Sequence, residues 1–155
     1  MIRFIVAVDS KNGMADDHGI PWDLPADKEY FRSKTIRSNV LMGYNTYTEF
    51  ESPLPYRESY VVSKDSKPLR KGFKKVSDVN EFINKTKEDI WIIGGAKLFA
   101  EYYHLAKELY VTELQGDFKC TKFFPHYQKD FKAISKSELK TENNIPFRFV
   151  IYRRK

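Results

Sequence analysis

In the stretch IPWDLPADKEYFR, residues 20 to 32, an acid stands on a stripe that a helix uses to bury its apolar side. Asp27 precedes Tyr30 and Phe31 by three and four positions, so a helix that begins at Pro25 puts all three on one face. Pro25 suits the first turn, where its missing N–H leaves nothing unpaired. An acid in a first turn is favoured by the helix dipole and is ordinarily solvated. Placed among aromatics it is instead desolvated, and a carboxylate in that setting can grip a ligand edge or assist a proton transfer.

A second chemistry belongs to the backbone. In IWIIGGAKLFAEYY an apolar run enters Gly94-Gly95 and then a helical pattern. Paired glycines there let a phosphate or another backbone approach closely, with helix N–H groups free to meet it. NVLMGYNTYTEF repeats the arrangement: Gly43 ends a strand and Thr46 falls in the next first turn, where its hydroxyl can join the backbone N–H groups. Two such junctions can embrace a pyrophosphate from both sides, which points to a dinucleotide. Neither a GxGxxG fingerprint nor a P-loop lysine motif is present.

The elements that must position these groups follow from short apolar runs: FIVAV (4 to 8), NVLMG (39 to 43), YVVS (60 to 63), IWIIGG (90 to 95) and ELYVTEL (108 to 114). The first four are rich in β-branched residues and bounded by turn formers, as expected of strands covered on both faces. Between them, helices are predicted at about 25 to 36, 44 to 50, 77 to 85 with Ser77 or Asp78 as cap, and 96 to 104. Alternating strands and helices argue for an α/β fold with a mostly parallel sheet. FKAISKSEL and FRFVIYRR alternate with period two around the turn-rich KTENNIP, which makes a C-terminal antiparallel hairpin and a mixed sheet.

At 155 residues, 41% hydrophobic and 31% charged, the chain fits a single domain, 1 to 155. The formal charge of +6 suggests anionic partners, among them nucleotide cofactors, carboxylated metabolites or nucleic acid. Its basic residues are dispersed, and KPLRKGFKK and the terminal RRK are too short to argue for DNA. No apolar run approaches the length of a membrane span, and MIRFIVAVDS reads as a strand rather than a signal peptide. Cys120 is the only cysteine, so no internal disulfide forms and a reducing cytoplasm is expected. His18, His104 and His126 show no ligand spacing, and no metal is expected.

In order along the chain, the first strand with Ala7, IPWDLPADKEYF, LMGYNTY, PLPYR, VVSK, IWIIGGAKLF, LYVTEL, FFPHY and the final hairpin form a highly specific set. With them the chain resembles the dihydrofolate reductase family over essentially its whole length. The resemblance implies NADPH-dependent reduction of 7,8-dihydrofolate to tetrahydrofolate, by hydride transfer to C6 and protonation of N5. It further implies one central mixed eight-stranded sheet flanked by about four helices, and a monomer without nucleic-acid or membrane partners.

Carried over position by position, Asp27 resembles the buried carboxylate that grips the pterin through its 2-amino group and N3. Thr112 resembles the residue hydrogen-bonded to that carboxylate, and Trp22 the holder of a water nearby. Ile5, Ala7, Phe31, Phe50 and Ile93 would wall the pterin and the aminobenzoyl ring, with Lys28 toward an acidic tail. Arg57 would pair bidentately with the α-carboxylate of the glutamate, geometry for which Arg suits better than Lys. On the cofactor side Gly94 and Gly95 resemble a pair joined by a cis peptide, and Ala96, Lys97, Leu98 and Phe99 would line the pyrophosphate and nicotinamide. Gly43, Tyr44, Asn45 and Thr46 would lie at phosphates, and Ser63 with Lys64 at the adenosine 2′-phosphate. NGMADDHGI, residues 12 to 20, matches a mobile lid whose Met14, Ala15, His18 and Gly19 would face the cofactor together with Ala7.

Several positions depart from the family's pattern. Tyr44 stands where bacterial members commonly carry an arginine for the 2′-phosphate, a loss for which Lys64 and Lys75 are the candidate replacements. Ala15 replaces a lid glycine, Thr121 an aspartate that helps hold the lid, Phe99 a tyrosine near the nicotinamide, and Lys28 an apolar wall. Two other readings compete: a different pterin or pyrimidine reductase of this fold, such as the riboflavin-pathway enzyme, and a non-catalytic basic nucleotide-binding module. Asp27 after PWDLPA, with Arg57, speaks for folate over the first. The second would interleave exposed aromatics with Lys and Arg, whereas most aromatics here fall on strands or helix faces that need burial.

Overall fold

A computed structural model describes residues 1–155. The chain runs β1 (Ile2–Val8), β2 (Gly13–Ala15), α1 (Pro25–Thr35), β3 (Asn39–Met42), α2 (Tyr44–Tyr47), β4 (Glu58–Val62), β5 (Phe73–Val76) and α3 (Val79–Lys85). It continues through β6 (Ile90–Gly94), α4 (Ala96–Tyr102), a 3-10 turn, β7 (Glu108–Leu114), β8 (Lys122–Phe123), β9 (Phe131–Lys136), β10 (Lys140–Glu142) and β11 (Ile145–Arg154).

The central sheet has the order β10-β11-β7-β1-β6-β3-β4-β5. From β7 to β5 all neighbours are parallel, and β11 returns antiparallel to β7. This is the mixed sheet of eight positions, flanked by four helices, that the family resemblance implies. Its outermost position is shared end to end by two short strands, since β9 pairs with residues 150–154 of β11 and β10 with residues 145–147. The near-continuous apolar runs have a direct cause: β1 feeds two cores. Phe4 and Val8 pack with Ile92, Phe99 and Leu109 on one face, while Ile5 packs with Val40, Met42, Val61 and Trp91 on the other. At the strand starts, Arg3 ties β1 to its neighbours by pairing with Glu108 at 2.7 Å and with Asp89 just before β6 at 2.5 Å.

Where structure and expectation differ, edges and turns are responsible. The helix expected over 44 to 50 closes at Tyr47 and passes into hydrogen-bonded turns, Glu49 N–H to Thr46 O at 3.1 Å and Phe50 N–H to Tyr47 O at 3.0 Å. The helix expected to reach residue 104 tightens into the 3-10 turn at Tyr103. KTENNIP is not a loop: β10 occupies its start, and only Asn143-Asn144 turn the chain, both at positive φ (51° and 63°) as a two-residue hairpin demands. The edge strand β5, FKKV, carries little apolar signal, since both of its lysines are exposed and only Val76 is buried. Lys75 of that strand donates to the carbonyls of Asp65 and Lys67, so it braces the 65–67 loop and is withdrawn from the role of a replacement phosphate cation.

A two-stranded sheet, β2 with β8, lies off the main one and joins residues 12 to 20 to an arm that follows β7. Its root is Asp9, which is buried and fully used. One carboxylate oxygen accepts the N–H groups of Lys11 and Gly13 at 2.9 and 2.8 Å, and the other accepts that of Phe118 at 3.0 Å. Gly13 is required here for space: a Cβ would lie 2.5 Å from Cys120 Cβ. Gly13→Ala should therefore destabilise the fold by about 1–3 kcal/mol, the usual scale of overpacking. In a Cys120→Gly background more than half of that loss should be recovered, as read from denaturant midpoints. Equal losses in both backgrounds would show that the contact with Cys120 is not the cause.

Candidate active site

A cleft of about 1580 Å³ opens where β1, β3, β4, β5 and β6 end, the place at which open α/β sheets bind ligands. Asp27 projects into it from the first turn of α1. That turn is built from both ends of the chain. Leu24, the residue before the helix, offers no side-chain cap. The free N–H of Ala26 instead donates to Glu142 of β10 at 2.9 Å, while Asn143 donates to Asp23 O at 2.8 Å. One turn later Tyr30 stacks on Phe149 of β11 with centroids 3.9 Å apart, and Phe149 is register partner to Thr112 of β7. The outcome is that Thr112 Oγ1 donates to Asp27 Oδ1 at 2.5 Å.

Asp27 is half-buried, with Ile5, Ala7, Phe31 and Ile93 also lining the cleft. Burial raises its pKa above the ordinary carboxylate value, and the Thr112 hydrogen bond opposes that shift. Burial, with Tyr110 and Asp27 nearby, pushes the Tyr30 phenol up to about 12, so Tyr30 stays neutral and leaves Asp27 the acid of this wall. Ile93 reaches the cleft through an irregularity of register, where Leu41 pairs with Ile92 but Met42 with Gly94.

At the outer end of the cleft Arg57 donates to Pro55 O at 3.0 Å and to Thr35 Oγ1 at 3.2 Å, its guanidinium carbon 5.9 Å from the Phe31 ring centre. No carboxylate pairs with it. Burial, and then Arg32 nearby, lowers its pKa, so this end carries converging positive charge. Lys28 also lines the cleft but is exposed, with Asp23 at 3.4 Å.

On the other side the two glycine junctions meet: Gly43 N–H donates to Gly94 O at 2.8 Å. Gly94-Gly95 is a cis peptide with Gly94 at φ 136°, and a Cβ on either glycine would lie 3.3 Å from Thr46 Oγ1. Neither α2 nor α4 has a side-chain cap, so no side chain at Gly43 or Gly95 takes up their first N–H groups. Tyr44, Asn45, Ser63, Lys64, Ala96, Lys97, Leu98 and Phe99 line the same region, as do Met14, Ala15 and Gly19 from the segment preceding α1, and Phe50 lines the cleft too. Tyr44 is exposed and leans on Tyr47 at 5.3 Å.

Three expected site residues do not line the cleft. Trp22 is buried in a separate cluster with Leu24, Leu114 and Phe147, edge-on to Phe118 at 5.3 Å. His18 is exposed, its N–H held by Asp16 Oδ1 at 2.8 Å in a local turn that directs the chain rather than the imidazole. Thr112 does not line the cleft either and acts on it through Asp27. Conversely, Val79 and Asn80 at the start of α3 and Lys122 on β8 line the cleft without having been anticipated. Period-two alternation in CTKFF, with Thr121 turned to the lid, was the available signal for Lys122. For Glu142 no local signal exists.

Comparison with known proteins agrees with this geometry. The family model for dihydrofolate reductase matches residues 1–154. A dihydrofolate reductase from Bacillus subtilis is 30% identical over 160 residues, covering 100% of this chain and 95% of the relative. One from Haemophilus influenzae is 32% identical, covering 97% of each. A solved structure of dihydrofolate reductase from Enterococcus faecalis, complexed with NADP(H) and RAB-propyl, matches the fold with a TM-score of 0.89 at 23% identity, over 100% of this chain and 96% of that one. A family model spanning residues 1–154 and relatives of 30% identity or more over essentially the whole chain place this chain in the dihydrofolate reductase family.

Proposed function

We propose that the chain catalyses the NADPH-dependent reduction of 7,8-dihydrofolate to 5,6,7,8-tetrahydrofolate. The observation that carries this reading is the half-buried Asp27, held by Thr112 and facing an apolar cleft that ends in the unpaired Arg57. The pterin edge offers two adjacent donors, which one carboxylate can accept together. Ile5, Ala7, Phe31, Phe50 and Ile93 wall the rings, and Arg57 takes the α-carboxylate of the tail. A non-catalytic nucleotide-binding module has no use for either group.

The residues present also fit the cofactor. Gly94-Gly95 and Gly43 leave a bare backbone surface that side chains would fill, and Lys64 and Lys97 line it with no carboxylate within 4.0 Å. Ser63 and Lys64 would hold the 2′-phosphate, Thr46, Ala96 and Lys97 the diphosphate, and Leu98 with Phe99 the nicotinamide side, while Met14, Ala15 and Gly19 cover it. When bound, NADPH supplies the hydride. Asp27 sits at the far edge of the pterin from N5, so it favours a proton on N5 through its charge, and water delivers that proton. Trp22, buried beside Leu24 at the start of α1, would hold a water near Asp27 from there. From its family we further infer a cytoplasmic monomer without nucleic-acid partners, a reading that agrees with basic residues dispersed along the chain rather than gathered in a run.

Asp27→Asn tests the chemistry. It keeps the size and the Thr112 contact and removes the charge, so single-turnover hydride transfer should fall by roughly 10²-fold or more while NADPH still binds. An unchanged rate would return Asp27 to the part of a solvated helix-end acid. The same variant tests the electrostatics. A carboxyl with a raised folded pKa destabilises the fold once pH exceeds its unfolded pKa, near 3.8. Asp27→Asn should therefore melt above the wild type at pH 7, with the advantage vanishing below about pH 4. A difference that does not change with pH would contradict the shift.

Tyr44 tests cofactor choice. With Lys75 committed to the 65–67 loop, Lys64 is left as the cation beside Ser63. NADPH should be preferred over NADH, but weakly. Tyr44→Arg restores a planar, two-pronged donor and should lower the Michaelis constant for NADPH while leaving that for NADH nearly unchanged. Equal improvement for both would refute a contact with the 2′-phosphate.

A further inference from the structure

Six cationic side chains line the cleft, and three of them, Lys64, Lys97 and Lys122, have neither a carboxylate within 4.0 Å nor any hydrogen-bonded partner. Their spacing follows from the sheet. In the order β7-β1-β6-β3-β4, the arm after β7 stands at one end, Gly94-Gly95 after β6 in the middle, and Ser63-Lys64 after β4 at the other. NADPH carries two adjacent phosphates and one distant one. Lys64, beside buried Ser63, is placed for the distant group. Lys97, two residues beyond the glycine pair, is placed for the diphosphate.

Lys122 is left over, and its direction is not accidental. On the arm, Thr121 turns toward the lid: its N–H donates to Ala15 O at 2.9 Å and its hydroxyl to Asp17 Oδ1 at 3.0 Å. Lys122 is the next residue and the first of β8. Lys122, register partner of Ala15, thus shares the cleft wall with Met14, Ala15, Gly19 and Ile20. A lysine on a short edge strand also discourages stray pairing, but that role does not call for a place in the wall of a cleft. Resting on the reading that this cleft takes NADPH, we propose that Lys122 is a cofactor-binding residue that neutralises the diphosphate from the lid side, opposite Lys97. It lies at the end of the cleft away from Ser63 and Lys64, so it attracts NADPH and NADH alike.

Dissociation constants of NADPH and NADH, measured by cofactor fluorescence on the full chain, decide the matter. Lys122→Gln should weaken both cofactors by the same factor, about three- to tenfold at low salt, with the gap narrowing as salt rises. Lys122→Arg should retain most of the affinity, and the melting temperature and dihydrofolate affinity should not move. Unchanged affinity for both cofactors would overturn the proposal. So would a loss confined to NADPH, which would assign Lys122 to the 2′-phosphate, or an equal loss of dihydrofolate affinity. Failure of the wild type to bind either cofactor would remove the functional reading itself; binding by the wild type that Lys122→Gln does not diminish would remove only the role of Lys122.

Discussion

A carboxylate must be kept in an apolar wall without being satisfied there. Thr112 is the one side chain that donates a hydrogen bond to Asp27, and much of the surrounding structure serves to bring those two together. Thr112 belongs to a strand near the middle of the sheet, fixed by Ala7 on one side and Phe149 on the other. Asp27 belongs to a helix lying across that sheet, seated by Tyr30 on Phe149 and capped by Glu142. Fewer donors leave the carboxylate costly to ionise; more would satisfy it internally and leave nothing for a ligand. A single hydroxyl from the strand beneath is the intermediate solution.

Around that acid the cleft separates its charges. The centre is apolar, Arg57 with Arg32 makes one end positive, and Lys64 and Lys97 line the cleft without a carboxylate partner. The sheet dictates this division, because each parallel strand delivers its following residues to the same edge. Small residues arrive where backbones must approach, as at Gly43 and Gly94.

The sequence made the parallel core legible because its strands are buried on both faces, and an apolar run of that kind resembles little else. Asp27 and the glycine junctions were legible for the opposite reason: each is out of keeping with its local surroundings. Contacts between distant segments left no such mark. FKKV reads as a basic patch until Val76 is seen to face the core. Lys75 reads as a free cation until the carbonyls of Asp65 and Lys67 are found on it. Trp22 follows the motif of its family, and its packing with Leu114 and Phe147 is a contact that its neighbours in sequence could not announce.

The cap on α1 ties the order of synthesis to the order of assembly. Helix α1 is made early, but the group that completes its first turn, Glu142, follows Ala26 by 116 positions. The ring that seats Tyr30, Phe149, follows later still. A chain emerging from the ribosome therefore exposes α1, unpaired, until the last strand wedges between β7 and its outer neighbours. Closing so long a loop late in folding is slow, and the incomplete sheet is open to aggregation meanwhile. The acid is positioned only when the whole sheet is, so a partly made chain has no partly made active site.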